Sequence, residues 1–422
     1  MSTSTSKEQA VVAPSARDVS LWRNGDFLIL LGGQVVSSLG SQMSQLAFPL
    51  LILAITGSPA KAGFVGALRA VPALLLSLPV GALVDRWDRK RVMIWSDAGR
   101  ALALGSVPLA LVTGHLTLVQ LAAASLVEGT LSVTFGLADT AALPRVVSPS
   151  RVPQALSTWQ VTESVAQVIG PLVGGALYGA GRSLPFLADA LSYVASVGTI
   201  LRIRTEFQGE REVASRSLRA DVAEGMAWLW RHAPLRFLAV LTGGLMVCSV
   251  GYPLIMILLA QRLGASPFVI GVIFASAGPG SVVGALIAAP LQRRFGVGRV
   301  IVWATWVWAL TWLFYLFAPT AFWLCVVNAA AFVVVPVYMI TQSSYRLTAI
   351  PDRLQGRVNS VFRLIVSGSQ PLGVAIAGLL LQAQGPKLTI IVLFVPQLAL
   401  SVVATFYRPA WRVPTSEQPV IA

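Results

Sequence analysis

Gly81-Ala82-Leu83-Val84-Asp85-Arg86-Trp87-Asp88-Arg89-Lys90 is a short charged turn wedged between two long apolar runs. An altered copy, Gly284-Ala285-Leu286-Ile287-Ala288-Ala289-Pro290-Leu291-Gln292-Arg293-Arg294, begins 203 positions later (81 to 284). A second pair agrees: Pro149-Ser150-Arg151-Val152-Pro153-Gln154-Ala155 aligns with Pro351-Asp352-Arg353-Leu354-Gln355-Gly356-Arg357 at an offset of 202 (149 to 351). Two matches at nearly one spacing mark an internal duplication at half the chain length. Together with the apolar runs they imply two helical bundles joined head to tail, the plan of a transporter built from parallel repeats.

Composition supports a membrane chain. Of 422 residues, 55% are hydrophobic and 11% charged, and the mean hydropathy is +0.74. A water-facing surface of this size needs roughly twice that charged fraction. Apolar runs long enough to cross ~30 Å of hydrocarbon are expected near 27–56, 62–84, 92–113, 116–139, 155–180, 184–203, 234–261, 267–291, 298–318, 321–346, 357–383 and 388–407. The fold class is therefore all-α integral membrane, with twelve transmembrane helices in two six-helix repeats. The expected division is a tail (1–25), a first bundle (26–203), a linker (204–233), a second bundle (234–407) and a second tail (408–422). The first twenty residues lack an apolar core, so the first span is expected to direct insertion.

The net charge of +14 reflects topology rather than nucleic acid. Lys61, Arg182, Arg262 and Lys387 are the basic residues of one set of loops, and Arg69 and Arg100 lie inside spans. The other 25 of the 31 (31 − 4 − 2) fall in the tails and the alternate loops. This positive-inside bias places both termini in the cytoplasm. In the linker Leu218, Val222, Met226 and Leu229 recur at helical spacing, which predicts an amphipathic helix along the inner face.

Intramembrane charge costs ~2.5–3.5 kcal/mol at a helix centre and so tends to be functional. Of seventeen acidic residues only Asp352 and Glu417 lie beyond residue 224, so a proton-coupling carboxylate must sit in the first half. Asp97 and Arg100, three apart, can pair on one helix face. Asp189 falls near the outer end of the sixth span. Glu128 has no basic residue within a turn and Glu163 lies two turns into the fifth span. Each is read as a proton carrier or cation-binding residue, or else as an interhelical hydrogen-bond partner. Gln34, Ser38, Gln42 and Gln45 form one polar stripe on the first span, facing a cavity or another helix. Tyr252, Asn328, Tyr338 and Gln342 are weaker cavity candidates. Trp303, Trp306, Trp308 and Trp312 suit either a stacking surface or the lipid interface.

Gly81-x-Leu83-x-Asp85-Arg86-x-x-Arg89-Lys90 resembles the loop 2–3 signature of the major facilitator superfamily, with Asp88 where a glycine is usual. Gly170-Pro171-x-x-Gly174-Gly175 resembles the helix-5 motif of its exporters and antiporters, where missing side chains and a proline allow close packing and a bend. Arg23-Asn24-x-Asp26-Phe27, Gln34, Ser38 and Asp97-x-x-Arg100 are similar to the branch of the enterobactin exporter and macrolide efflux pumps.

The resemblance implies that helices 1, 4, 7 and 10 line a central cavity, placing Glu128 beside substrate. It also implies a conformational latch of Gly81, Asp85, Arg86, Arg89 and Lys90. The Asp85 carboxylate would dock on a helix N-terminus of the other half, worth ~0.3–1 kcal/mol, with Asp139 accepting Arg89. Ala288 and Ala289 replace the Asp-Arg pair in the second copy, so the first half alone should carry the latch. No Walker sequence, metal-ligand cluster or nucleophile elbow is present, so no enzyme activity and no cofactor are expected.

These observations lead to a monomeric bacterial cytoplasmic-membrane protein that exports an amphiphilic small molecule in exchange for protons. A lipid flippase or a facilitator without proton coupling is the alternative, and an importer is a further one.

Overall fold

The computed structural model describes residues 20–84, 86–208 and 218–407. The expected latch carboxylate Asp85 lies outside them. The helices are α1 (Gly25–Thr56), α2 (Pro59–Val84), α3 (Arg89–Val112), α4 (Leu118–Val146), α5 (Val152–Ala180), α6 (Leu184–Arg202) and α7 (Leu218–Arg231). There follow α8 (Ala233–Ser249), α9 (Tyr252–Arg262), α10 (Pro267–Ala275), α11 (Ala277–Phe295), α12 (Val297–Leu316), α13 (Ala321–Ala349) and α14 (Asp352–Phe406).

Twelve membrane crossings emerge once interruptions are assigned. The seventh is α8 with α9 and the eighth α10 with α11. α14 holds the eleventh and twelfth, because Gly385 (φ 72°, ψ 176°) turns the chain back before Pro386. Among the described residues nine helical segments are long and apolar enough to cross a membrane by composition alone. α14 counts among them once though it crosses twice. α3 and α5 are not among them. α3 carries Arg89, Lys90, Arg91, Asp97 and Arg100, and α5 carries Gln154, Gln160, Glu163 and Gln167. On α3 the Asp97–Arg100 pair is buried in protein, whereas Gln154, Gln160 and Gln167 of α5 are exposed; apolar side chains such as Leu102 of α3 (76% exposed) and Val161 of α5 (63%) turn outward, where only lipid can cover them.

Each bundle packs tightly within itself. α1 lies against α5 and α6, α2 against α4, and α3 against α4 and α6, while α13 lies against α11 and α12. Between bundles α2 meets α14, and α5 meets α10 and α11. Glycine makes these seams possible. A methyl at Gly63 would lie 2.7 Å from Gly378 Cα, and one at Gly175 would overlap the Pro267 carbonyl. The Ser58 hydroxyl donates to Gln382 Oε1 across the same seam, at 2.7 Å. We call the end of the bundles holding Ser58, Pro267 and Gln382 the sealed end, and the end holding Arg89, the linker and Asp352 the basic end. Among the described residues, glycine contacts between bundles run from the sealed end to mid-height, at Gly368 and Leu74.

Within the expected linker, the helix anticipated from Leu218, Val222, Met226 and Leu229 is α7. α7 lies at the basic end with Leu229 fully buried. Arg357 of α14 holds it through Asp221 (2.8 Å) and Glu224 (2.5 Å).

The tryptophans of the ninth crossing are corrected. Trp308 and Trp312 are buried, against Tyr338 (5.9 Å) and Tyr315 (6.5 Å) respectively. Trp306 donates to the Thr405 hydroxyl at 2.8 Å, and Trp303 is the exposed one, at 44%. Trp308 and Trp312 thus belong to the core of the second bundle, while Trp303 keeps a lipid-facing position.

Candidate functional site

Gly129 lets the backbones of α2 and α4 approach, since a methyl there would stand 3.3 Å from Arg69 Cα. That approach brings Arg69 alongside Glu128. The guanidinium grips the carboxylate twice, Nε to Oε2 at 2.5 Å and Nη2 to Oε1 at 3.1 Å. Arg100 of α3 adds a third bond to Oε1 at 3.4 Å, and pairs with Asp97 at 3.1 Å as the i,i+3 spacing predicts. Arg100 also donates to Tyr193 of α6 (2.5 Å) and Ser41 of α1 (3.3 Å), and its guanidinium stacks 3.9 Å from the Tyr193 ring. Glu128 is 1% exposed. No basic residue lies within a turn of Glu128 on α4, and its partners come from other helices, as the interhelical reading expected. In low dielectric, two cations holding one carboxylate keep it charged and fixed.

Asp189 sits one stage further along α6. It accepts from the Ser44 hydroxyl and, at 3.3 Å, from the Ser192 hydroxyl. The buried polar system thus links five helices of the first bundle. Sequence reading missed Arg69, Ser41, Ser44 and Tyr193 as members. The one available signal was that an intramembrane Arg and an intramembrane Glu each require a partner.

Glu163 is placed differently. It is half-buried on α5, and Gln42 of the polar stripe on α1 donates to its Oε1 at 3.0 Å. It lies five residues, about 7.5 Å along the helix, toward the basic end from Val168, against which Gly278 of α11 packs. Gln34, Ser38 and Gln42 are half-buried and Gln45 is exposed, so the stripe has one consistent open side. By contrast Asn328, Tyr338 and Gln342 are buried, and Tyr252 donates to Asn328 at 2.5 Å while Tyr338 meets the Thr242 hydroxyl at 2.8 Å. These four serve the interior of the second bundle and do not come together with Glu163.

The helix-5 glycines lie on two faces. Gly170 and Gly174 admit Gln42 and Met43 of α1, whereas Gly175 meets α10. Methyl groups there would stand 3.4 Å from Gln42 Cα, 2.8 Å from Met43 Cα and 3.2 Å from Gly271 Cα respectively. Pro171 is buried in the same stretch and its carbonyl packs on Gly271. The motif therefore builds both the polar contact and the seam between bundles.

At the basic end, Asp88 caps α3 by accepting from the Arg91 amide at 3.1 Å, which accounts for an acid where glycine is usual. Lys90 donates to the Ile203 carbonyl at 2.6 Å, and Arg89 to the carbonyls of Ala141 (2.8 Å) and Phe207 (3.3 Å). The Arg89–Asp139 pair, expected for the state closed at the basic end, is not formed in this arrangement. Arg89 reaches past Asp139 to backbone carbonyls, and Asp139 is buried with Oδ1 unpartnered. Gly81 lies in the last turn of α2 and Arg86 is exposed beyond the helix. At the second copy Ala288, the counterpart of Asp85, is fully buried with Val300 and Val337.

The family model described as transmembrane secretion effector, of the major facilitator type, matches residues 18–419. The multidrug efflux pump Tap of Mycolicibacterium fortuitum is 28% identical over 397 residues, covering 91% of this chain and 96% of Tap. Macrolide efflux protein A of Streptococcus pyogenes is 26% identical over 366 residues, covering 84% and 88% respectively. Among solved structures, a bacterial homologue of the iron transporter ferroportin in an inward-facing state superposes with a TM-score of 0.74 at 19% identity, over 92% of this chain and 99% of that one. A bacterial homologue of the lysosomal transporter Spinster also gives 0.74, at 15% identity over 94% and 98%. Sequence, crossings and fold agree: the chain is a membrane transporter, not an enzyme, and belongs to the transmembrane secretion effector family of the major facilitator superfamily.

Proposed function

We propose that the protein exports amphiphilic, preferably cationic, small molecules from the cytoplasm by proton antiport. The observation that carries this reading is Glu163. Among the described carboxylates well inside the spans, Asp97, Glu128, Asp139 and Asp189 are buried, and Glu163 alone is half-exposed. Gln42 orients it just below the seam, where a cavity open toward the basic end would have its apex. A carboxylate with an amide partner and apolar surroundings suits a lipophilic cation: Coulomb attraction fixes the charged end and the hydrophobic effect holds the body.

With the basic end in the cytoplasm, the seam of α2 with α14 and α5 with α10 closes the outer side. Rocking the bundles would break this seam and present the cavity outward. The expected latch at Arg86, Arg89 and Lys90 fits such a cycle, since Arg89 and Lys90, now bonded to the backbone carbonyls of Ala141, Phe207 and Ile203, can exchange those bonds when the basic end closes. The efflux names of the 28%- and 26%-identical relatives support export and a drug-like substrate. Glu128 acts in this account as the fixed charge of the first bundle.

The test uses respiring everted vesicles with a fluorescent reporter of the pH gradient, challenged with ethidium, a macrolide, a siderophore and a lysolipid. Wild type should dissipate the gradient on addition of ethidium or macrolide. Glu163→Gln should raise the KM for ethidium about tenfold, the equivalent of ~1.4 kcal/mol, and affect a neutral substrate less. Transport of any compound with the gradient untouched would refute antiport and favour a flippase or facilitator.

A further inference from the structure

We propose that Asp189 of α6 is the proton-binding residue, in a site separate from the substrate carboxylate and coupled to it through α1. The proposal rests on the antiport reading and assigns the proton to a group that reading leaves unused.

Charge placement in the first bundle singles Asp189 out. Three carboxylates are buried to within 1% exposure: Asp97, Glu128 and Asp189. Two arginines answer them. Arg69 pairs with Glu128, and Arg100 with Asp97 and Glu128. Asp189 pairs with neither, and it accepts from the hydroxyls of Ser44 and Ser192. Gly40 of α1 leaves room for it, because a methyl there would stand 2.6 Å from its Oδ1. The charged and polar groups that act on Asp189 are Arg69 of α2, Arg100 of α3, Glu128 of α4, Ser44 of α1 and Tyr193 of its own helix. Asp139, also buried, lies eleven residues further along α4 toward the basic end, about 16 Å from Glu128, and stands outside this cluster. Within the cluster two cations and two anions cancel, and an ionised Asp189 leaves one negative charge in excess. A proton removes that excess, so the third carboxyl is the one with reason to bind and release it.

Ser44 supplies the readout. Its hydroxyl reaches two acceptors, the Asp189 carboxylate and the Ser41 carbonyl, the latter at 3.2 Å. One hydroxyl has one proton to give. With Asp189 ionised it donates across to α6. When a proton binds the carboxylate, the new acid O–H can donate to Ser44, which then turns to the Ser41 carbonyl within α1. The proton balance is simple: one proton taken up at the Asp189 oxygen in one state and released from it in the other.

Ser41 adjoins Gln42, which holds Glu163, and its hydroxyl meets Tyr193 at 2.8 Å and receives Arg100 at 3.3 Å. α1 therefore carries the proton-sensing serines and the substrate-orienting glutamine within one turn. Protonation alters how α1 is bonded to α6, and the shift reaches Glu163 through Gln42. Asp189 also lies five residues from the start of α6 at Leu184, about 7.5 Å from the sealed end. That position favours exchange with the outer medium once the seam opens.

The test uses the full chain reconstituted in liposomes, with ethidium as probe, and compares gradient-driven accumulation with substrate counterflow, which needs no net proton movement. Asp189→Asn should lose accumulation at least tenfold, keep counterflow within about twofold and make it independent of pH between 5.5 and 8. Asp189→Glu should restore accumulation in part. Ser44→Ala, which keeps the carboxyl, should shift the pH of half-maximal counterflow.

Ethidium-dependent proton flux persisting in Asp189→Asn, or an unshifted pH profile in Ser44→Ala, would overturn the proposal. So would loss of counterflow in an Asp189→Asn protein that elutes and melts like wild type. Absence of proton flux in wild type itself would instead refute the antiport reading.

Discussion

Arg69 supports the first bundle out of proportion to its single charge. It supplies two of the three bonds on Glu128, and Arg100 must otherwise serve Asp97, Glu128, Tyr193 and Ser41 together. Removing one partner of a buried pair costs ~3–5 kcal/mol, because the other charge is left uncompensated. Arg69→Met should therefore lower the melting temperature of the detergent-purified protein by several degrees. The double variant Arg69→Met with Glu128→Gln should recover part of that loss, since it strands no full charge. A double variant no more stable than the single one would show that the pair is not the unit of stability. At this scale the sequence exposed what helical spacing exposes. Asp97 and Arg100 were legible at i,i+3, and Glu163 and the Gln42 stripe by position. Arg69 was not assigned to Glu128, 59 residues away, because the pairing depends on how closely α2 and α4 approach at Gly129. For the same reason Asn328 and Tyr338, polar residues on a helix expected to line the cavity, turned out to face inward.

Among the elements, α5 is the most instructive. It crosses the membrane although its composition is polar, and its glycines fix it to α1 on one face and to α10 on the other. A bulky side chain at the seam cannot be absorbed by rotamer change, since its first contacts are the Pro267 carbonyl and Gly271 backbone. Gly175→Val should therefore destabilise the sealed arrangement without touching Glu163. Limited proteolysis or hydrogen exchange of the Gly57–Ser58 and Leu263–Ser266 connections should rise severalfold in the variant. Unchanged protection would mean that the seam does not depend on this approach. Periodicity predicted α7 as an amphipathic linker helix, and the two apolar runs at 357–383 and 388–407 predicted the return between the eleventh and twelfth crossings, which Gly385 provides. What periodicity could not supply was attachment. The bond from Arg357 to Asp221 and Glu224 joins residues over 130 positions apart in the chain, as the Glu224–Arg357 separation of 133 shows.

For the whole molecule, the two halves share topology but divide the chemistry. The buried acids belong to the first bundle, while the described residues of the second beyond Glu224 include Asp352, at the start of α14, as their acid. Substrate and proton chemistry would then reside in one half, and the other would act as the surface against which it rocks. The bundles meet at the sealed end through small residues, which suits an interface made and broken in each cycle more than a permanent one.

The most direct test of that cycle is to lock the seam. In a chain freed of its native cysteines by Cys248→Ser and Cys325→Ser, cysteines at Ser58 and Gln382, whose native side chains hydrogen-bond at 2.7 Å, would be bridged with a short bifunctional thiol reagent. Ethidium transport would be measured before bridging, after it, and after cleaving a reducible linker. Alternating access through this seam predicts that the bridge stops transport and that its cleavage restores it. Transport continuing at the full rate in quantitatively bridged protein would contradict the account.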